Sequence, residues 1–165
     1  MEVIEYNEKY KEDCKDLLVE LEEYIVSIDK DNLDQVGKDY REKMLDNDLD
    51  EIRTNNGKCY IAVDNDKAIG LIMGCLRKYE VADYLDYKCP KTGKITELIV
   101  TNKTRSSGVG KELIKKMEDY LKGLGCEYIA IELFAYNDMA KAFYEKGGYH
   151  PRMINLIKKV EDNNE

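Results

Sequence analysis

Apolar positions recur along this chain with two periods, and the switches between them divide it into elements. Val3-Ile4-Glu5-Tyr6 alternates as a short strand. Asn7 can cap the next segment, where Cys14, Leu17, Leu18, Leu21, Tyr24, Ile25 and Ile28 fall at helical spacing. Residues 29–34 are a polar break. A second helix is predicted over about 35–48, with Val36, Tyr40, Met44 and Leu45 as its inner stripe. Residues 58–63 and 68–76 read as strands joined by the turn Asp64-Asn65-Asp66-Lys67, an antiparallel hairpin. Residues 79–94 hold a proline, a glycine and three tyrosines and read as a loop, with at most a strand extension. Ile95 to Val100 is rich in β-branched residues and suits a sheet interior.

The next stretch separates its faces cleanly. Over about 107–124, Val109, Leu113, Met117, Tyr120, Leu121 and Leu124 line one side of a helix, and Lys111, Lys115, Glu118 and Lys122 the other. Gly123 and Gly125 end it. Tyr128 to Leu133 is an apolar strand, and a strand–helix–strand unit of this length implies a right-handed parallel crossover. Asp138 to Lys146 is a short helix closed by Gly147-Gly148. A last strand or strand pair is expected over 153–160, and 161–165 is a polar tail. The whole reads as one mixed α/β domain, 1–165, without internal repeat or linker.

The segment that changes this from a fold to a function is ELIVTNKTRSSGVGK, Glu97 to Lys111. A strand that ends, turns on small residues and launches a helix gathers free backbone N–H groups at one point, which suits phosphate. The N–H groups of residues 106–111 would be the donors, at the positive end of the helix dipole. Gly108 and Gly110 would let the ligand approach the backbone with no Cβ in the way. Arg105 and Lys111 add charge, and Lys103 can steer. A plainer reading, a helix capped by Ser106 or Ser107 after a tight glycine turn, uses the same residues. Two phosphate motifs are excluded. A Walker loop needs glycine where Arg105 stands and Ser or Thr where Glu112 stands, and a dinucleotide fingerprint needs glycine at Leu113.

Charge locates the other half of the problem. The 165-residue chain carries a net charge of −8, which argues against general nucleic-acid binding. Residues 1–60 hold 18 acidic and 9 basic side chains, while 61–165 hold 16 and 17. The acidity therefore lies in the first third, and the anion-binding part is nearly neutral. The five cysteines lack metal or disulfide spacing and read as free thiols of a reducing, cytoplasmic compartment. The first residues lack the pattern of a secretory signal, and no stretch approaches the ~20 apolar residues of a membrane span, so no membrane partner is expected.

Arg105-Ser106-Ser107-Gly108-Val109-Gly110 resembles the acyl-CoA-binding signature of the GNAT (GCN5-related N-acetyltransferase) superfamily. Downstream, Asn137-Asp138-Met139-Ala140-Lys141-Ala142-Phe143-Tyr144-Glu145-Lys146-Gly147-Gly148-Tyr149 is similar to that family's second signature. The resemblance implies a mostly antiparallel, twisted mixed sheet of six to seven strands with about four helices. In that fold two parallel strands splay apart and hold CoA between them. It implies acetyl-CoA as cosubstrate, no metal, pantetheine along Leu98-Ile99-Val100 with backbone bonds at Leu98 and Val100, and pyrophosphate at Arg105 to Lys111. Asn137 would bond the cofactor, or cap the following helix, or do both. Tyr144 would protonate the leaving thiolate, against the plainer reading of a core tyrosine. Glu97 sits where relatives carry an acidic residue that takes the amine's proton through water; Glu80, Asp83 and Glu132 are weaker candidates. Asn102 and Ser106 depart from the family, which often has proline and glycine there. His150, the sole histidine, precedes Pro151 and reads as a surface turn residue, and the tyrosines of 79–87 could line an acceptor pocket or cover apolar surface.

The activity implied by the resemblance is that of an N-acetyltransferase, moving acetyl to a primary amine by direct attack in a ternary complex. In the family the first two helices wall the acceptor side. Here they carry Glu20, Glu22, Glu23, Asp29, Asp31 and Asp34 on or between them, which suits a cationic acceptor and equally well a merely solvated acidic face. The alternatives are a non-catalytic acyl-CoA-binding or sensing module and a protein N-terminal (ribosomal-protein type) acetyltransferase. A homodimer is left open.

Overall fold

The five strands β1 (Glu2–Glu5), β2 (Lys58–Asp64), β3 (Lys67–Leu76), β4 (Thr92–Val100) and β5 (Tyr128–Ile131) lie side by side in chain order in one sheet. The first three junctions are antiparallel, and β4–β5 is parallel. The structure is a computed structural model and describes residues 1–104 and 107–160. Helices α1 (Lys11–Ile28) and α2 (Tyr40–Thr54) cover one face of the sheet, and α3 (Val109–Gly123) and α4 (Asp138–Lys146) the other. Two cores result. Cys14, Leu18, Leu45, Ile52, Ile61, Leu71 and Met73 fill the first, and Ile72, Ile95, Leu113, Met117 and Leu121 the second. α3 lies close on the sheet because the floor beneath it is small: a Cβ on Gly74 would meet Met117 Sδ at 2.7 Å.

Three expectations need correction. The second helix begins at Tyr40, not near 35, and runs on to Thr54. Asp29 organises the chain before it, its carboxylate accepting N–H bonds from Asp31, Leu33 and Asp34 at 2.5–2.9 Å, so Val36 lies outside the helix and is exposed. The true inner stripe is Leu45, Asp48, Leu49 and Ile52. Within 79–94, residues 81–85 form a short 3-10 turn, and β4 starts at Thr92 rather than Ile95. The strand expected over 153–160 is not formed; the segment is irregular and exposed, so the sheet has five strands among the described residues rather than six to seven. Among the described residues this segment pairs with no strand of the sheet. Among the described residues no helix is long and apolar enough to cross a membrane.

Candidate active site

The site lies where the sheet opens. β4 and β5 pair from Thr92↔Tyr128 to Ile95↔Ile131, and the ladder stops there, five residues before β4 itself ends at Val100. Leu98, Ile99 and Val100 are thus the part of β4 that runs past its parallel neighbour. Ile99 faces the α1/α2 core, and Leu98 and Val100 face the α3 side.

A bulge at the opening decides where Glu97 points. Met73 pairs with Glu97, but Gly74 pairs with Ile95, so Thr96 is an extra residue in β4. Strict alternation would put Glu97 on the same face as Ile95, under α3. The bulge turns it instead onto the face of Met73, under α1 and α2. Burial raises its carboxyl to about 8, and the neighbouring carboxylates of Asp48, Glu22 and Glu51 push the same way. Asp48, on the inner stripe of α2, is 9% exposed, its Oδ2 is buried without a hydrogen-bond partner, and burial raises it to about 6. Sequence reading missed Asp48, although its spacing of three residues from Leu45 and four from Ile52 put it on the apolar stripe.

On the other side of the seam α4 forms over Asp138–Lys146, as its sequence predicts. The Asn137 side-chain oxygen accepts from the N–H of Ala140 at 3.1 Å, and Asn137 itself is buried, so its capping role is met. Tyr144 is 7% exposed, with its ring edge-on to Phe143 and Tyr149 at centroid distances of 5.2 and 5.5 Å. Its hydroxyl is held well above the ordinary tyrosine range, first by burial and then by the Glu97 carboxylate. Glu97 and Tyr144 come from opposite faces of the sheet, yet are close enough to sense each other's charge through the opening.

At the head of α3, Gly108 takes φ +89°, a left-handed conformation, and a Cβ there would meet nothing within 4 Å. Backbone geometry, not crowding, calls for glycine. At Gly110 a Cβ would lie 3.5 Å from the Phe143 ring, an ordinary contact, so packing does not require glycine there. Ser107 donates its hydroxyl to the Thr104 carbonyl, and among the described residues no side chain caps the first N–H groups of α3. Val109 is buried in the α3-side core, and Lys111 and Lys103 are exposed. Arg105 and Ser106 lie outside the described residues. Asn102, where relatives often have proline, donates its N–H to Glu20 at 2.7 Å, and Thr101 donates its hydroxyl to the same carboxylate at 2.9 Å. Proline could not make the first bond, so the departure is a tether from α1 to the strand-to-helix loop. Gly108→Ala is expected to lose about 1–2 kcal/mol of stability from the left-handed φ alone, a Tm fall of roughly 2–8 °C in a thermal melt.

Other candidates are accounted for by local structure. Glu80 and Asp83 cap the 81–85 turn reciprocally, and Glu132 is exposed. His150 is exposed beside Pro151. Tyr79 donates its hydroxyl to Pro90 O and Thr92 Oγ1 at 2.9 Å, and Arg77 lies over the rings of Tyr79 and Tyr87; these tyrosines cover the loop. The acidic group of the first third divides. Asp29 and Glu20 hold loops, and Asp31 accepts from the Tyr136 hydroxyl. The charges of Asp48 and Glu22 raise Glu97, and Glu22 also shares a hydrogen bond with Tyr40. A carboxyl held above its ordinary pKa adds stability below that ordinary value and loses it as pH rises through the raised one. The wild-type Tm should therefore fall as pH rises from about 4 to about 8 through the titrations of Asp48 and Glu97. Asp48→Asn should flatten that fall in pH-dependent melts.

Residues 21–149 match the acetyltransferase (GNAT) family. The chain is 31% identical over 104 residues to an uncharacterized N-acetyltransferase of Methanocaldococcus jannaschii, covering 62% of this chain and 58% of that one. It is 30% identical over 70 residues to glucosamine 6-phosphate N-acetyltransferase of Arabidopsis thaliana, 42% of this chain and 45% of that one. The matched region thus spans about half the length of these curated relatives. The crystal structure of the Arabidopsis enzyme superposes with a TM-score of 0.63 at 20% identity, covering 97% of this chain and 98% of that one. An aminoglycoside N-acetyltransferase in complex with CoA superposes with a TM-score of 0.65 at 18% identity, covering 96% and 100%.

Proposed function

The chain belongs to the acetyltransferase (GNAT) family, and from that premise we propose that it transfers acetyl from acetyl-CoA to a primary amine by direct attack. The observation that carries this reading is the Glu97–Tyr144 pair at the mouth of the β4–β5 opening, a base and an acid on opposite sides of one seam. CoA would lie along Leu98–Val100, with its thioester reaching Tyr144. Its pyrophosphate would lie at the first N–H groups of α3, where the glycine turn leaves the backbone open. Arg105 and Lys111 would add charge there, and Asn137 would add a cofactor bond to its cap.

The direction of the Glu97 shift fits its role. An alkylammonium near pKa 10.4 gives its proton to an ordinary carboxylate at a cost of roughly 8 kcal/mol, but to a carboxyl near 8 at roughly 3. Glu97 is therefore a better acceptor than an exposed glutamate. The amine attacks the thioester carbon, the tetrahedral intermediate collapses, and the C–S bond breaks. The amine's proton passes to Glu97, and the departing thiolate takes a proton from Tyr144. Burial keeps the Tyr144 hydroxyl protonated and present as a donor, and the same upward shift makes it a weaker acid than a free tyrosine.

The same carboxylates favour a cationic acceptor. Asp48, Glu22 and Glu51 raise Glu97 by repulsion. An ammonium among them would reverse that effect, lowering Glu97 and expelling its proton as the substrate arrives. Polyamines, aminoglycosides and basic peptide N-termini fit this description. Amine-dependent release of free thiol from acetyl-CoA across such a panel tests the reading. Tight CoA binding with no release from any amine would instead support a binding or sensing module.

A further inference from the structure

Beyond the pair Ile95↔Ile131 the β4–β5 ladder no longer sets the distance between the end of β4 and the chain that follows β5. Two sets of contacts from outside the sheet reach the two sides, and both come from α1 or the loop after it. On the β4 side, one oxygen of the half-buried Glu20 carboxylate accepts the Asn102 N–H at 2.7 Å, and the other accepts the Thr101 hydroxyl at 2.9 Å. Bonds to a carboxylate are among the stronger ones, and two of them on one side chain fix direction as well as distance. The Thr101 N–H still bonds to Ile69 O across β3, and its carbonyl accepts the N–H of Thr104. Glu20 therefore holds the point where β4 turns into the loop that leads to α3.

On the β5 side, the Tyr136 hydroxyl donates to Asp31 at 3.0 Å, and the Lys30 ammonium lies 5.0 Å from the centre of the same ring. Tyr136 immediately precedes Asn137, the cap of α4. The connection between these two attachments is stiff. About 12 Å of continuous helix joins Glu20 to Ile28, and the buried Asp29 then fixes the loop through its bonds to the N–H groups of Asp31, Leu33 and Asp34. We propose that the second half of α1 and residues 29–31 form a strap across the β4–β5 opening, with Glu20 and Tyr136 as positioning residues at its two ends, and that the strap holds the gap at the width CoA needs. The inference rests on the reading that CoA lies in this opening. Where the gap is correctly set in only a fraction of molecules, the Kd rises by the inverse of that fraction. The two attachments act in series, so a strap cut at either end is cut.

CoA calorimetry and amide exchange on Glu20→Ala and Tyr136→Phe, alone and together, test the strap without reference to turnover. Phenylalanine keeps the ring against Lys30 and Phe134 and removes only the bond to Asp31. Each single variant should raise the Kd for CoA by ~10-fold, the scale of one lost bond to a carboxylate. In each, the amides of 129–131, at the end of the β4–β5 ladder, should exchange ~5–10-fold faster than in wild type. The double variant should bind CoA no more weakly than the weaker single one, rather than ~100-fold more weakly than wild type. Glu20→Gln, whose amide can still accept from Asn102 and donate to Thr101, should stay within ~3-fold of wild type. If Glu20→Ala fails to fold, Thr101→Val/Asn102→Pro removes the same two donors from the other side. Unchanged exchange in both single variants overturns the inference, and so does faster exchange without weaker CoA binding. Losses that multiply in the double variant also overturn it, since they mark two separate local supports. A wild type that binds no CoA removes the reading of the opening as a CoA site, and this inference with it.

Discussion

Tyr144→Phe is expected to lower kcat by about 10²–10⁴-fold, the usual contribution of a positioned acid, with the Kd for CoA nearly unchanged. The substitution removes one oxygen and keeps the ring. The edge-on contacts with Phe143 and Tyr149, which hold the residue in the α3-side core, should survive. The fold and the donor site should therefore remain, and only the proton for the leaving thiolate is lost. An alkyl thiolate leaves readily compared with an alkoxide, so the effect should be larger with less basic amines, whose intermediates return to thioester and amine more easily. Stopped-flow thiol release and CoA calorimetry on the same preparation separate the two quantities. An unchanged kcat would remove Tyr144 as the acid.

Glu97→Gln is expected to produce a second large loss, about 10²–10⁴-fold in kcat/KM, and to change the shape of the pH profile as well. The free wild-type enzyme should gain activity as pH rises through about 8, where Glu97 loses its proton and becomes a base. The glutamine variant should lose that limb and keep only the rise due to deprotonation of the amine itself. Asp48→Asn separates the base from its surroundings. With one repelling carboxylate gone, Glu97 should titrate lower, and the limb should move to lower pH with Glu97 still present. A merely structural role for Asp48 would leave the limb where it is.

How much of the molecule is legible in the sequence differs from element to element. α4 is legible to the residue because Asn137 caps it and Gly147-Gly148 stops it, and α3 because its charged and apolar faces separate. The donor half of the proposed site is assigned to these two helices and the strand before them, elements whose bounds the sequence places closely. The pattern misplaces α2 because Val36 imitates a core position, while Asp29 has already folded residues 31–34 into a loop that hydropathy does not reveal. The β4 bulge is invisible: an inserted residue in a β-branched run leaves no trace until the partner strand is known, and it alone sets the face of Glu97. Asp48 hides among the many acidic residues of its helix. Residues 153–160 read as a strand in sequence, and only the structure shows them irregular and exposed.

The most direct test compares N-acetyl amine formation by the wild type with that of Glu97→Gln/Tyr144→Phe, with CoA affinity measured on both. Product from the wild type, at least ~100-fold less from the double variant, and equal CoA affinity would place the chemistry at the β4–β5 opening. Equal product from both chains, or no product from a wild type that binds CoA, would contradict it.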